Sequence, residues 1–542
     1  MNRKEQGKMK FTEQIRNDLQ SGNTFLGIEF GSTRIKASLI DAGHRPIASG
    51  SFQWENRLEN GVWTYRLEDA MAGLQACYAD LIKNVVQAYG VTPETYRAIG
   101  FSGMMHGYLA LDKNGRLLTP FRTWRNTMTD EAAQELTALF SYHIPQRWSI
   151  AHLYHSIQNG EAHVANIDHL TTLAGYVHWR LTGERVLGVD EASGMFPIDT
   201  AAKQFHPRML SAFDTLIAQR QYPWKLADIL PRVAVAGEPA GRLTEEGALL
   251  LDPAGTLQPG VPLCPPEGDA GTGMVATNSV QPRTGNVSVG TSVFAMVVLE
   301  KELSRLYREI DLVTTPAGDP VAMVHCNNGT SDLDGWVSLI RDCMRTCGAE
   351  ADADTLYRSL FEAADRADAD CGGLVGCNYL SGEHITAFSE GRPLFIRLPD
   401  AHFSAANFMR AQLYGVFASL RIGMDILTRS ESVKIAGLCG HGGFFRVPGV
   451  GQRMMADALN TPVTVLDTAG DGGPWGMAIL AAYMAQKTKD ETLAGYLSDR
   501  VFTADGGSTL SPDPAEAEGF EIYLERYRLL LDAERSALKI KS

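Results

Sequence analysis

The sequence predicts an α/β protein made of two related domains that flank a cleft, and three observations carry that expectation. First, "FLGIEFGSTRIKASLID" (25–41) sets two apolar, β-branched runs about a glycine-and-hydroxyl turn, which reads as strand, tight turn, strand. Second, "GNVSVGTSVFAMVVLE" (285–300) repeats that pattern in the other half. Third, each hairpin is followed by a short apolar strand with a glycine-rich tip, "AIGFSGMMHG" (98–107) and "VKIAGLCGHGGFFR" (433–446). The separations are 72 residues (Gly31 to Gly103) and 150 residues (Gly290 to Gly440). Repetition on that scale describes two domains and not a solenoid.

Taken in order, residues 1–23 read as a charged extension, frayed or helical. "LEDAMAGLQACYADLIKNVVQAYG" (67–90) has helical spacing of Met71, Leu74, Cys77, Tyr78, Leu81 and Val85, with Gly90 as its stop. Helical spacing dominates from Thr129 to Leu181, and a Pro- and Gly-bearing segment leads to "PEGDAGTG". The domain boundary is placed near residue 275, giving domains 24–275 and 276–542. The second ends in a helix that follows "PDP", with Ile522, Tyr523, Tyr527, Leu530 and Leu531 in helical register.

The 542 residues carry 49 basic and 63 acidic side chains, a formal charge of −14. Nucleic-acid and anionic-membrane partners need a basic footprint, so both classes are excluded. Eight cysteines form no CxxC pair, no apolar run approaches a bilayer's thickness, and the N-terminus lacks a signal-peptide core. Those features predict a soluble cytoplasmic protein with reduced thiols. There is no GxxxxGK[ST], no GxGxxG opening a helix after a first strand, no HExxH and no Cys/His quartet. His152 and His155 share i,i+3 spacing, which fits a solvated or internally bonded pair better than metal ligands.

A phosphate chain is the ligand the two turns suit. Gly31, Ser32 and Thr33, and likewise Gly290, Thr291 and Ser292, combine a close backbone approach with turn amides and hydroxyl donors. Glu29, inside the first buried strand, costs several kcal/mol unless a cation faces it. Magnesium, Lys36 and Arg34 are the candidate partners.

In this order the motifs resemble the FGGY family of carbohydrate kinases, of actin/hexokinase-like (ribonuclease H-like) fold, over about residues 24–535. "EFGSTRIK" resembles the family's first phosphate hairpin, "SVGTS" the second, and "GDAGTG" (268–273) the loop bearing the catalytic aspartate. "GFSGMMHG" looks like the sugar loop of the xylulose-kinase branch, and "TWRN" (123–126) like the Trp-centred segment after it. "NYLSGEHITAFSEGR" (378–392) resembles a family stretch to which no role is attached. "GLCGHGGFFR" and "DGGPWGMAILA" look like nucleoside-binding glycines. Glu29 stands where the family usually has aspartate, still a hard oxygen donor.

The resemblance implies ATP-dependent phosphorylation of a sugar hydroxyl, with ATP and Mg²⁺ as cofactors and a ketopentose such as D-xylulose as acceptor. It implies Asp269 as catalytic base and, with Glu29, as metal ligand. Met105, His106, Trp124, Arg125 and Asn126 are expected against the sugar. Gly31, Ser32, Thr33, Lys36, Gly290, Thr291, Ser292, Gly440, Gly442, Gly443 and Phe444 are expected at ATP. Other acceptors (ribulose, fuculose, erythritol, gluconate) and an actin-like or chaperone-like ATP switch remain alternatives at this point. So does a homodimer, on which the residues themselves are silent.

Overall fold

The computed structural model describes residues 3–467, 472–503 and 506–540, with backbone only at 3–9 and 446. The chain divides into two compact units. One comprises Met1–Val280, Leu312–Pro320 and Asp471–Ala504; the other comprises Gln281–Asp311, Val321–Gly470 and Asp505–Ser542.

In the first unit the hairpin forms as its pattern predicts, from β1 (Phe25–Phe30) and β2 (Arg34–Ile40), with β3 (Pro46–Gln53) extending the antiparallel meander. β4 (Ala98–Gly103) and β5 (Glu267–Gly268) then add in parallel, giving the sheet order β5-β4-β1-β2-β3. β1 is buried along its whole length and pairs with β2 on one side and β4 on the other. That register sets Glu29 opposite Lys36 on β2 and Ser102 on β4. The predicted helix spans Leu67–Tyr89 and stops at Gly90, whose φ of 67° is the left-handed cap. Helices Asp130–Phe140, Ser149–Gln158 and Leu173–Thr182 occupy the stretch whose spacing is helical. The N-terminal segment is a helix, Arg3–Ser21, and it is not frayed: Ile15 and Leu19 are buried in the same apolar core as β1 and helix Leu67–Tyr89.

A continuous second domain from 276 onward differs from the observed division, because residues 312–320 and 471–504 belong to the first unit. Helix Gly472–Gln486 supplies the reason. Its residues Pro474–Tyr483 are all buried, so it needs apolar cover on every side. It finds that cover on β1, so closely that a Cβ at Gly27 would overlap the backbone of Pro474 and Ala478.

The second unit repeats the arrangement. β6 (Thr284–Val289), β7 (Val293–Val298) and β8 (Pro320–Cys326) form the antiparallel meander. β9 (Gly437–His441) and β10 (Val463–Leu466) follow in parallel, and β11 (Gly507–Leu510) pairs antiparallel with β10. The run β8-β7-β6-β9-β10 repeats the 3-2-1-4-5 order of the first sheet, and β11 extends it beyond β10. Helix Pro514–Ala537 buries Tyr523, Tyr527, Leu530 and Leu531 as its spacing predicts, whereas Ile522 is exposed. In this repeat the position of Glu29, one residue before the strand's last, is filled by Ser288. Only the first hairpin carries an acid there.

Candidate active site

Each glycine-hydroxyl turn is held by its carbonyls and left open at its amides. In the first, the Gly31 amide donates to Arg34 O at 2.9 Å and closes the bend. Trp54 Nε1 donates to Gly31 O at 2.7 Å, Tyr65 Oη to Ser32 O at 2.7 Å, and the Trp54 amide to Thr33 O at 3.1 Å. The two anchoring rings stack at 4.2 Å. Ser32 and Thr33 are exposed, and their amides and hydroxyls have no partner among the described residues. In the second turn the Gly290 amide donates to Ser292 O at 2.9 Å. The Gly329 and Thr330 amides donate to Thr291 O and Gly290 O, each at 2.8 Å. Thr291 and Ser292 keep their own donors open. Fixed carbonyls with outward amides make an anion cradle. Lys36 lies on β2 beyond the first turn and is exposed.

The acid centre lies in the first unit. Asp269 is the first residue of helix Asp269–Ala276, directly after β5. Its side chain is open to solvent, yet desolvation by the protein around it pushes its carboxyl up to about 6, against the opposing pull of the backbone N–H groups of Met105, Ala270 and Asp269 itself. The Met105 amide faces Asp269 Oδ1 at 3.4 Å. Glu29, 9 % exposed, is pushed up to about 7, first by burial and then by the charge of Asp269, with Lys36 pulling it down. No Lys or Arg among the described residues lies within ion-pair distance of Glu29. The pairing with Lys36 or Arg34 is therefore not formed. A Cβ at Gly473 would overlap the Glu29 carboxylate and come within 3.2 Å of Thr272 Oγ1, so Gly473 is the residue that lets the acid fit. Gly473 of "DGGPWG" thus packs against the acid centre and Gly476 against the Thr272 backbone; Asp471 lies outside the described residues.

Three acids that sequence reasoning missed surround this centre: Asp190, Glu191 and Glu267, all buried. Asp190 Oδ2 accepts from the Gly268 amide at 3.0 Å and lies over Gly271, capping the helix that Asp269 opens, a contribution of about 1 kcal/mol. Burial drives all three carboxyls well above the ordinary range. The signal for Asp190 and Glu191, "GVDEASG", has no periodicity or spacing that separates it from an ordinary loop, while Glu267 sits in "PEGDAGTG", two residues before Asp269.

On the sugar side Met105 and His106 are buried, and His106 holds a left-handed φ of 70°. Arg147 Nε donates to His106 Nε2 at 3.0 Å, which leaves the ring proton on Nδ1, facing Gly194 O at 3.1 Å. Both ring nitrogens are thus engaged with the protein rather than left for a hydroxyl. Trp124 is 40 % exposed and presents a ring face. Arg125 stacks over Trp63 at 3.8 Å. Asn126 is buried and spends its amide on Trp63 and Thr123, accepting from Trp63 N and donating to both carbonyls. It holds the Trp63 hairpin instead of serving as a free donor. His152 is fully buried, with its ring pushed down to about 3 by burial, and His155 bonds Asn159.

The second unit contains a cavity of about 490 Å³ beside the second turn, lined by Gly290, Thr330, Tyr357, Phe361, Gly443 and Phe444 among others. Asp334, Asp354 and Arg358 supply its polar wall, and Tyr357 Oη donates to Asp334 Oδ1 at 2.5 Å. Gly443 and Phe444 line this space. Gly440 instead lies under the Phe445 ring, and Gly442, with φ of 101°, lies against Val289 O.

Two hairpins of one topology with open turn amides, plus an acid at a helix start, define a phosphoryl-transfer fold of the sugar-kinase class. Residues 24–275 match the N-terminal domain and residues 285–485 the C-terminal domain of the FGGY family of carbohydrate kinases. The chain belongs to that family and is a carbohydrate kinase. It is 21% identical over 525 residues to xylulose kinase of Haemophilus influenzae, covering 93% of this chain and 98% of that one. Its fold matches ligand-bound xylulose kinase from Lactobacillus acidophilus (TM-score 0.77, 18% identity, 95% and 99% covered). It matches gluconate kinase from Lactobacillus acidophilus with the same score (0.77, 18%, 94% and 98%). Among the described residues no helix is long and apolar enough to cross a membrane.

Proposed function

We propose that this kinase transfers the γ-phosphoryl group of ATP to the terminal hydroxyl of a ketopentose, D-xylulose giving the 5-phosphate. The single observation that carries the reading is Asp269, a solvent-accessible carboxylate set at a helix start beside the Met105 amide, with its proton affinity raised to about 6. A base with that affinity is ionised at neutral pH and still takes a proton as the hydroxyl attacks. Phosphoryl transfer needs positioning and charge neutralisation more than covalent chemistry. The open donors of Ser32, Thr33, Thr291 and Ser292 suit the phosphate oxygens, with Gly31 and Gly290 allowing close approach. The cavity walled by Gly443 and Phe444 suits the nucleoside.

Glu29 and Asp269 fit Mg²⁺: both are hard oxygen donors, Glu29 buried and Asp269 open to solvent, and neither has an ion-pair partner among the described residues. When bound, the ion would neutralise phosphate charge; Glu29 and Asp269 are the residues that would hold it. The chain's own residues do the rest. Met105 supplies an apolar wall, His106 orients Arg147, and Trp124 offers its ring face to the sugar carbon skeleton.

The test is a coupled ADP-release screen over pentuloses, hexuloses, polyols and aldonates. The expected result is the highest kcat/KM with D-xylulose and little ADP release without sugar. A higher kcat/KM for gluconate would replace the acceptor, and sugar-independent turnover would remove the ketopentose reading.

A further inference from the structure

The "NYLSGEH" stretch (378–384) has no part in the site as described, yet its glutamate is fully buried. Glu383 Oε2 accepts from the Asn327 amide at 2.9 Å, the Asn328 amide at 3.3 Å and Asn328 Nδ2 at 3.2 Å. The other oxygen, Oε1, lies 3.6 Å from His384 Nδ1. Asn328 Oδ1 in turn accepts from the Leu380 and Ser381 amides, each at 3.0 Å. Asn378 Nδ2 donates to Asn328 O at 3.1 Å and Gly329 O at 3.0 Å. The 327–329 backbone is therefore gripped from both faces by 378–383.

The gripped loop is the one that holds the second phosphate turn. The next two amides, Gly329 and Thr330, are the donors to Thr291 O and Gly290 O. Gly329 touches the turn directly, since a Cβ there would overlap Gly290 O. The first turn is anchored by aromatic side chains, Trp54 and Tyr65; among the described residues the second is held by this backbone splint, behind which the buried carboxylate lies. A buried charge is costly unless its hydrogen bonds are made, and here they are made to the one loop that orients the turn.

We propose that Glu383, acting through Asn328, is a positioning residue for the nucleotide's phosphate chain: it sets the Asn327–Thr330 loop so that the Gly290–Ser292 turn aims its amides at phosphate oxygens. This rests on the nucleotide reading of that turn. Glu383→Gln keeps the side-chain volume but replaces the charged acceptor with a neutral amide, one arm of which is itself a donor.

The experiment is calorimetric titration of the full chain with ADP plus magnesium chloride and, separately, with adenosine, which on the same reading fills the cavity but brings no phosphate to the turn. For Glu383→Gln the ADP Kd is expected to rise tenfold or more while the adenosine Kd stays within twofold. Asn328→Ala, which cuts the same link from the loop side, is expected to give the same split and serves if the first variant does not fold. Unchanged ADP affinity overturns the proposal. So does a parallel loss for both ligands, which is what general loosening of the unit would produce. A wild-type chain that binds neither ligand overturns the nucleotide reading together with this proposal. A wild type that binds both, with variants that match it, overturns only the role of Glu383.

Discussion

Replacing Glu29 by Gln is expected to stabilise the metal-free protein while abolishing its turnover. The structure places this carboxyl where burial and the neighbouring Asp269 raise it from the ordinary 4.5 to about 7. The folded state therefore binds a proton that the unfolded chain releases. A group with its folded value raised contributes fully below the unfolded value and loses that contribution as pH rises toward the folded one. The step from 4.5 to about 7 amounts to about 3 kcal/mol at about 1.4 kcal/mol per tenfold change in proton affinity. The cost is nearly complete at pH 8 and about half as large at pH 5.5. Glutamine has the same reach and no charge to bury. In EDTA, the variant's Tm is expected to exceed that of the wild type by roughly 5 °C at pH 8, with the gap narrowing as the buffer is acidified. Differential scanning calorimetry at pH 5.5, 7 and 8 measures it. A variant that is less stable at pH 8 would refute the reasoning, because it would show that the protein itself holds the ionised carboxylate favourably.

Asp269→Asn is expected to lower sugar-dependent turnover by about 10²–10⁴-fold while ADP binding persists, as stopped-assay kinetics and titration would show. In the wild type, turnover is expected to fall as pH drops through about 6, where the Asp269 carboxylate takes up its proton; a flat profile down to pH 5 would contradict its role as base. Tyr65→Phe removes the hydroxyl that pins Ser32 O and is expected to raise KM for ATP about fivefold, roughly 1 kcal/mol, with KM for sugar unchanged. Asn126→Ala strips three bonds, two to Trp63 and one to Thr123, and is expected to destabilise by about 2 kcal/mol in urea titration. A loss confined to sugar KM, with stability intact, would return Asn126 to the sugar.

What the sequence determined alone is local or periodic. Alternation about a glycine turn specified both hairpins, and their recurrence with a glycine-tipped strand specified the duplicated domain, because strand pairing follows a two-residue period that can be read from the chain itself. Motif order brought Asp269 and Glu29 into view as candidates. The tertiary structure decided what stands next to them. Helix Gly472–Gln486 returns to the first unit and lays Gly473 against Glu29. Asp190, far away in sequence, caps the helix that Asp269 opens. Trp54, Tyr65 and the Asn327–Thr330 loop hold the two turns by quite different means, and His106 and Asn126 spend their polar atoms on the protein. Such pairings join residues tens to hundreds of positions apart. Buried polar atoms must find partners in three dimensions, and a single sequence carries no period or spacing that says which ones they find.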